Sequence, residues 1–263
     1  MIKSLNTSAL VTADSPKGRR AAETFRAQYS KARLDHERAQ RLNEHPGFAA
    51  YLLAGIRRFS MKAPDYALAQ SILGVDFITP EEVTKARPNV VYSDEQVAAL
   101  AEAIPSVELL EWCKENGYAV MSAPPTAMST LEVRALKPDL FYSKTGGWYA
   151  HQKFASEDKT SSGWLLIKKT PIADSTSKMW GEQNKLLSKF ETVPNAAQMC
   201  WFITTYYEVR GVRLFEGVYV RTSSLILNGV NVRVGDFVSD RLHVLDCRND
   251  YRIGNLGLSA ARE

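Results

Sequence analysis

The chain has 263 residues, 45% of them hydrophobic and 24% charged, with a formal net charge of +4. That length buries a sizeable core, and the mild charge does not by itself point to nucleic acid. No apolar run reaches the length of a membrane span, and the first residues lack the basic-then-apolar order of a signal peptide.

Three cysteines, Cys113, Cys200 and Cys247, are far apart and outside metal-ligand spacing. The expected setting is a reducing, cytoplasmic one without a disulfide framework.

In chain order, the first fifteen residues are polar and expected to fray. Pro16 to Glu44 reads as one long helix, with Ala22, Phe25, Tyr29, Ala32, His36 and Ala39 on a single stripe. Its other faces carry Arg19, Arg20, Arg26, Lys31, Arg33, Arg38 and Arg41. A solvated helix packed along a narrow seam is favoured there over an arm that grips an anionic partner. His45-Pro46-Gly47 stops it, and Phe48 to Phe59 form a short apolar helix. Asp65 to Leu73 follow, closed by Gly74. Thr79-Pro80-Glu81-Glu82 combines a hydroxyl cap, Pro at the first helical position and acids on the positive end. Ser93 with Gln96 makes a capping box, and Ser106 opens a helix from Val107 to Asn116. Residues 1–120 thus read as a helical region for scaffolding, oligomerisation or attachment.

Tyr118 to Met121 read as a strand, and Met128 to Ser143 alternates between apolar and polar. Gly146-Gly147-Trp148 is turn chemistry followed by an aromatic anchor, and Trp164 to Ile167 is a strand. Ser177 is expected to cap a helix through Leu187. Asn195 caps another, with Met199, Phe202, Ile203 and Tyr206 on its apolar face. Then come strand-like pieces at 218–221, 225–227, 231–234 and 242–244, with the hairpin signal Asn228-Gly229 between two of them. The expected class is α+β, with the second region at 121–263.

From Gly217 to Arg262 there is no Lys, Glu, Gln, Met or Trp, although these types make up about a fifth of the chain. Strands deplete Lys and Glu, which accounts for part of the gap. Val193 to Ala197, Gly211-Val212-Arg213-Leu214-Phe215, Arg233 to Phe237 and Gly257 to Arg262 stand in an order that resembles C-type-lectin-like domains of the formylglycine-generating type. Phe215 stands where that family has Pro. The resemblance covers about residues 140–263, and the chain is also similar to a set of uncharacterised bacterial proteins.

Two readings follow from the resemblance. Enzymes of that group use a cysteine pair near the C-terminal end of the fold, which implies an oxidase-like role for Cys247, activated by Arg248. This chain has one cysteine there, so a catalytic role is disfavoured and no catalytic residue is assigned. The fold also serves as a frame for surfaces diversified by retroelements, where adenine replacement at Asn codons yields fifteen residue types that exclude the five absent here. That implies a non-enzymatic binding protein with a variable segment at 236–255. Its contact residues would be Asp236, Phe237, Ser239, His243, Leu245, Asp246, Asn249, Tyr251, Arg252 and Asn255, over buried Leu242, Val244 and Leu258. The expected partner is a protein or surface ligand at this face. A homo-oligomer through the N-terminal helices is possible, and no membrane partner is expected. Nucleic acid on the basic helix 16–41 is the alternative. No metal or cofactor is assigned.

Overall fold

In the computed structural model of the chain, residues 12, 14–60, 66–238 and 241–262 are described. The expected fraying of the first residues, the helix start at Asp65 and the contact residue Ser239 lie outside them.

The chain divides into two compact units, Met1–Ser60 and Met61–Glu263. The first holds α1 (Pro16–Lys31), α2 (His36–Glu44) and α3 (Phe48–Ser60). The single long helix expected over 16–44 is broken in two. Arg33 takes a left-handed φ of 48°, and the Asp35 side chain caps α2 by accepting the Arg38 N–H at 2.8 Å. Asp35, in the middle of the stretch expected as one helix, is thus an N-cap, the position that suits its short acceptor side chain.

The second unit runs through α4 (Ala67–Leu73), β1 (Phe77–Ile78), α5 (Pro80–Ala86), α6 (Asp94–Glu102), α7 (Val107–Glu115), β2 (Tyr118–Ser122) and α8 (Thr130–Leu136). It continues with α9 (Lys153–Glu157), β3 (Trp164–Lys168), α10 (Trp180–Asn184), β4 (Glu191–Thr192) and α11 (Ala196–Arg210). The chain closes with β5 (Tyr219–Leu225), β6 (Asn231–Val238), β7 (Arg241–Cys247), β8 (Leu256–Leu258) and β9 (Ala261–Arg262). The class is α+β. The compact units part near residue 60, not at 120, because β1 pairs in parallel with β2 and α4 packs on α7. The helices of 66–116 therefore belong to the C-terminal unit.

Local chemistry explains most of these elements. Thr79–Glu82, Ser93–Gln96 and Asn195–Gln198 close reciprocal capping boxes, each satisfying two backbone donors that a bare helix start would leave open. Ser129–Glu132 closes a fourth and starts α8, so the alternating stretch 128–143 is largely helical and not extended. The helix expected from Ser177 shrinks to α10. Ser177 itself has φ 57°, and its N–H is spent on the Ile253 carbonyl at 3.0 Å.

Two sheets organise this unit, one ordered β1-β2-β3-β9-β4 and the other β7-β6-β5-β8. Helix α11 packs against strands of both. All of its residues from Ala196 to Tyr206 except Gln198 are buried, so it is a central helix rather than one with a single apolar face. On one side it meets Ala119, Met121, Leu165 and Ile167; on the other it meets Val220, Val232, Val234, Leu242 and Val244. The far face of the five-stranded sheet, with Tyr118, Val120 and Leu166, is covered by Leu73 of α4 and Leu110 and Cys113 of α7. Strand β2 is thus buried on both faces, which suits its unbroken run of five buried residues.

One ion pair is enclosed in this core. Arg87 Nε lies 2.5 Å from Glu208 Oε2, with the two side chains only 4% and 10% exposed. Arg87 Nη2 also donates to Thr204 Oγ1 at 2.8 Å, and the guanidinium lies 4.9 Å from the centre of the Trp201 ring. Burial pulls the Arg87 guanidinium below its ordinary pKa, and Glu208 opposes that pull. Removing the anion leaves a desolvated cation, whereas removing both charges leaves apolar packing. Glu208→Ala is therefore expected to cost about 3–5 kcal/mol of unfolding free energy. The double change Arg87→Met with Glu208→Leu should recover most of that loss, as read from urea midpoints at unchanged slope.

Candidate ligand-binding face

The four-stranded sheet turns its valines inward and leaves an outer face on the side away from α11. Registers across β5, β6 and β7 place Tyr219, Gly235 and His243 in one row, and Arg221, Arg233 and Leu245 in the next. Residues two apart on a strand share a face, so these two rows lie on the same side. Val220, Val234 and Val244 occupy the opposite side and are buried.

A bulge sets the chemistry at one end of this face. The β6–β7 register shifts between Gly235 and Val238, so β6 carries one more residue there than β7. Asp236 takes a left-handed φ of 48° and Gly235 a φ of 141°. A side chain at Gly235 would meet the Val218 carbonyl oxygen at 2.4 Å, so only glycine fits. The extra residue resets the alternation. Phe237 turns inward, fully buried with its ring 5.2 Å from that of Tyr207, while Asp236 turns towards His243. The Tyr219 hydroxyl donates to Asp236 Oδ2 at 2.9 Å, and burial followed by that carboxylate pushes the phenol up to about 12. His243 Nδ1 lies 3.2 Å from the Asp236 carbonyl oxygen and 3.6 Å from Oδ2.

Aromatic groups extend the row. Tyr142 is 62% exposed, and its ring centre lies 4.6 Å from that of His243. It is held there because the Tyr142 N–H donates to the Leu242 carbonyl at 3.0 Å. Trp148 Nε1 covers the same edge of β7 by donating to the Val244 carbonyl at 2.8 Å, which fulfils its reading as an anchor. The Arg233 guanidinium lies 4.4 Å from the Tyr219 ring centre. The face therefore offers aromatic area, a carboxylate, an imidazole and a guanidinium close together.

The loop 248–255 borders the other end and is held by a buried arginine. Arg221, fully buried, donates through Nη2 to the carbonyls of Arg248 (3.0 Å) and Tyr251 (2.8 Å). Through Nη1 it donates to the Lys178 carbonyl (3.0 Å) and Gln183 Oε1 (2.7 Å). Trp180 N–H adds a bond to the Asn249 carbonyl at 2.9 Å. Ile253 then packs with Leu245, Tyr219, Cys247 and Leu256, joining the loop to the outer face.

Against this geometry the expected contact residues divide. Asp236, His243 and Leu245 lie half-buried on the outer face, and Tyr251, Arg252 and Asn255 are exposed on the adjoining loop. Asn249 is half-buried and structural in its bonds: Oδ1 accepts the Asn231 N–H and Nδ2 donates to the Gly229 carbonyl, both at 3.1 Å. Two corrections apply. Phe237 belongs to the core for the reason given by the bulge. Asp246 is exposed but on the other side of β7 from Leu245, because adjacent strand residues point to opposite faces. Leu242, Val244 and Leu258 are buried, as the frame requires. Tyr142, Tyr219 and Arg233 were missed. The period-two pattern of β5 and β6 carries the signal for the latter two, but nothing local marks Tyr142.

All three cysteines are free and buried. Burial alone pushes the Cys200 thiol far up, and burial also raises Cys247 against the opposing charges of Arg221 and Arg233. Arg248, the residue weighed as one that could activate Cys247, pairs with Asp250 at 2.8 Å. No family model, curated protein or solved structure matches this chain.

Two measurements check this geometry. None of the three thiols should react with a disulfide reagent within minutes in the native protein, and all three should react in denaturant. Arg221→Ala should cost about 2–4 kcal/mol by leaving four acceptors unpaired. Amide exchange in 248–253 should then rise ahead of exchange in β6.

Proposed function

We propose that the protein is a non-enzymatic binding protein. Its recognition surface is the outer face of the β7-β6-β5-β8 sheet together with the loop 248–255. Asp236, His243, Leu245, Tyr251, Arg252 and Asn255 are the positions that vary, and Tyr142, Tyr219 and Arg233 border them. The observation that carries the reading is a coincidence of two patterns. The five residue types that adenine replacement at Asn codons cannot produce are all absent from 217–262, and this is the segment whose outward residues sit over a buried valine frame. A C-type-lectin-like frame diversified by a retroelement accounts for both, with a protein or surface ligand as partner. Three free cysteines support a reducing, cytoplasmic setting. Among the described residues no helix is long and apolar enough to cross a membrane.

The oxidase-like alternative has less support. A nucleophilic Cys247 needs a lowered pKa, and its surroundings raise it.

The test combines DNA and stability. The flanking genome is expected to carry a non-coding near-copy of the 3′ end that differs almost only at adenines, beside a reverse transcriptase gene. Randomising Asp236, His243, Leu245, Tyr251, Arg252 and Asn255 should shift the melting point by no more than a few degrees in most variants. Val232→Ala, Leu242→Ala or Phe237→Ala should cost about 2–5 kcal/mol each. A neighbourhood without the template copy, or a frame that melts when the outer positions vary, overturns the proposal.

A further inference from the structure

The net positive charge of this protein lies in its N-terminal unit. Residues 1–60 carry 11 Lys and Arg against 5 Asp and Glu, a net of +6, so the other 203 residues hold −2 of the chain's +4. Arg38 and Arg41 of α2 are answered locally, by Asp35 at 3.6 Å and Glu37 at 3.4 Å. The five cations of α1, Lys17, Arg19, Arg20, Arg26 and Lys31, are all exposed. None of them is ion-paired among the described residues.

Among the described residues the same unit buries no apolar side chain fully, and Phe48, Leu52 and Tyr29 are half-buried. Neither α1 nor α2 buries a single residue. Phe25 and Tyr29 stand one turn apart with ring centres 6.2 Å from each other, and Phe25 is 44% exposed. At 100° per residue Ala22 joins their stripe, bordered by Arg19 and Arg26 on one side and Lys17 on the other. On α3, Phe48, Leu52 and Ile56 recur every fourth residue with Tyr51 and Leu53 beside them. Ile56 is 65% and Tyr51 80% exposed.

Aromatic and aliphatic stripes edged by unpaired cations match the demands of one kind of surface. A phosphodiester backbone would answer the charges and leave Phe25, Tyr51 and Ile56 in water. A second copy of the unit would cover the stripes but bring two charges of +6 within a few Debye lengths. A bilayer surface with anionic headgroups takes both. The rings and aliphatic groups enter the headgroup–acyl boundary while Lys and Arg stems reach up to phosphates. We propose that the helices of residues 16–60 are a peripheral anchor that lies on membranes rich in anionic phospholipid, through the Phe25/Tyr29 stripe of α1 and the Phe48/Leu52/Ile56 stripe of α3. Such an arm lies in the interface and needs no spanning helix.

The test uses the full-length protein and vesicles of phosphatidylcholine, either pure or with about a third phosphatidylglycerol. Flotation should recover the protein with anionic vesicles at about 0.1 M salt, with at least about tenfold weaker partition to neutral ones and a marked loss at about 0.5 M. Arg19→Glu with Arg26→Glu should abolish flotation. Phe25→Ser with Ile56→Asn, which alters no charge, should weaken it at least about fivefold. All these positions lie outside the packed second unit, so its melting point should not move in either variant. The proposal is overturned if generic duplex DNA is bound at the salt where vesicles are not. It is equally overturned if the uncharged pair of changes leaves vesicle binding intact. Neither result bears on the outer-face reading, which the randomised variants test separately.

Discussion

The burial of α11 on nearly every side is the constraint on which the C-terminal unit depends. A helix that is dry on most of its circumference must be met by more than one layer, and here two separate sheets and α5, α8 and α9 meet it. Several of its polar residues are answered inside the protein, although the buried Thr205 hydroxyl has no partner among the described residues. Thr204 returns a bond to the Cys200 carbonyl, Trp201 Nε1 donates to the Ser122 carbonyl, and Glu208 meets Arg87. At its far end Arg210 reaches back to Glu82 and to the carbonyls of Val75 and Phe77, which ties α11 to the segment around β1. The inward valines of the four-stranded sheet cannot shift without opening space around α11, and on its outer side Tyr219, Cys247 and Leu256 form a second, smaller cluster with Leu245 and Ile253 packed on it.

The proposed variable surface needs outer residues that can change while the fold does not. The bulge at Asp236 makes the division abrupt: two successive residues serve opposite purposes, a carboxylate among Tyr219 and His243 and a phenyl ring in the core. The strain of a non-glycine residue at positive φ is held by the Asp236 N–H bond to the Val218 carbonyl at 2.8 Å and by the tight contact over Gly235. At the other end Arg221 performs a related service for the loop, binding its backbone and leaving the side chains of Tyr251, Arg252 and Asn255 outward. Because the clamp acts on carbonyl oxygens, it is indifferent to which side chains the loop bears.

Much of the local structure was legible because its causes are short-range. The capping residues at 79, 93, 106 and 195, the glycine after α4 and the Asn228-Gly229 turn act within four residues of themselves. What the sequence hid depended on distant partners. Asp35 looks like any helical surface acid until the chain breaks at Arg33, and Ser177 looks like a cap until its N–H is taken by Ile253. The two-residue strand β9 joins β3 to β4 at the C-terminal end of the described chain, and two residues hold no periodicity to read. Phe237 was misread because a one-residue bulge inverts the phase of every inward–outward assignment that follows it.

The face itself shows the same limit. Strand periodicity brings Tyr219, Arg233, His243 and Leu245 together from three adjacent strands, and a reader with the registers needs nothing else. Tyr142 arrives from about a hundred residues earlier, through one parallel bridge between Phe141 and Leu242 and one backbone bond. Those contacts are made by main-chain groups, which every sequence possesses, so no residue type announces them. The consequence is an asymmetry within the face. His243 and Leu245 stand on β7 itself, with Leu245 packed beside Ile253, whereas Tyr142 stands on a segment that also seals the edge of β7 together with Trp148. On the proposed reading, a ligand contact at Tyr142 would therefore be coupled to closure of the sheet edge.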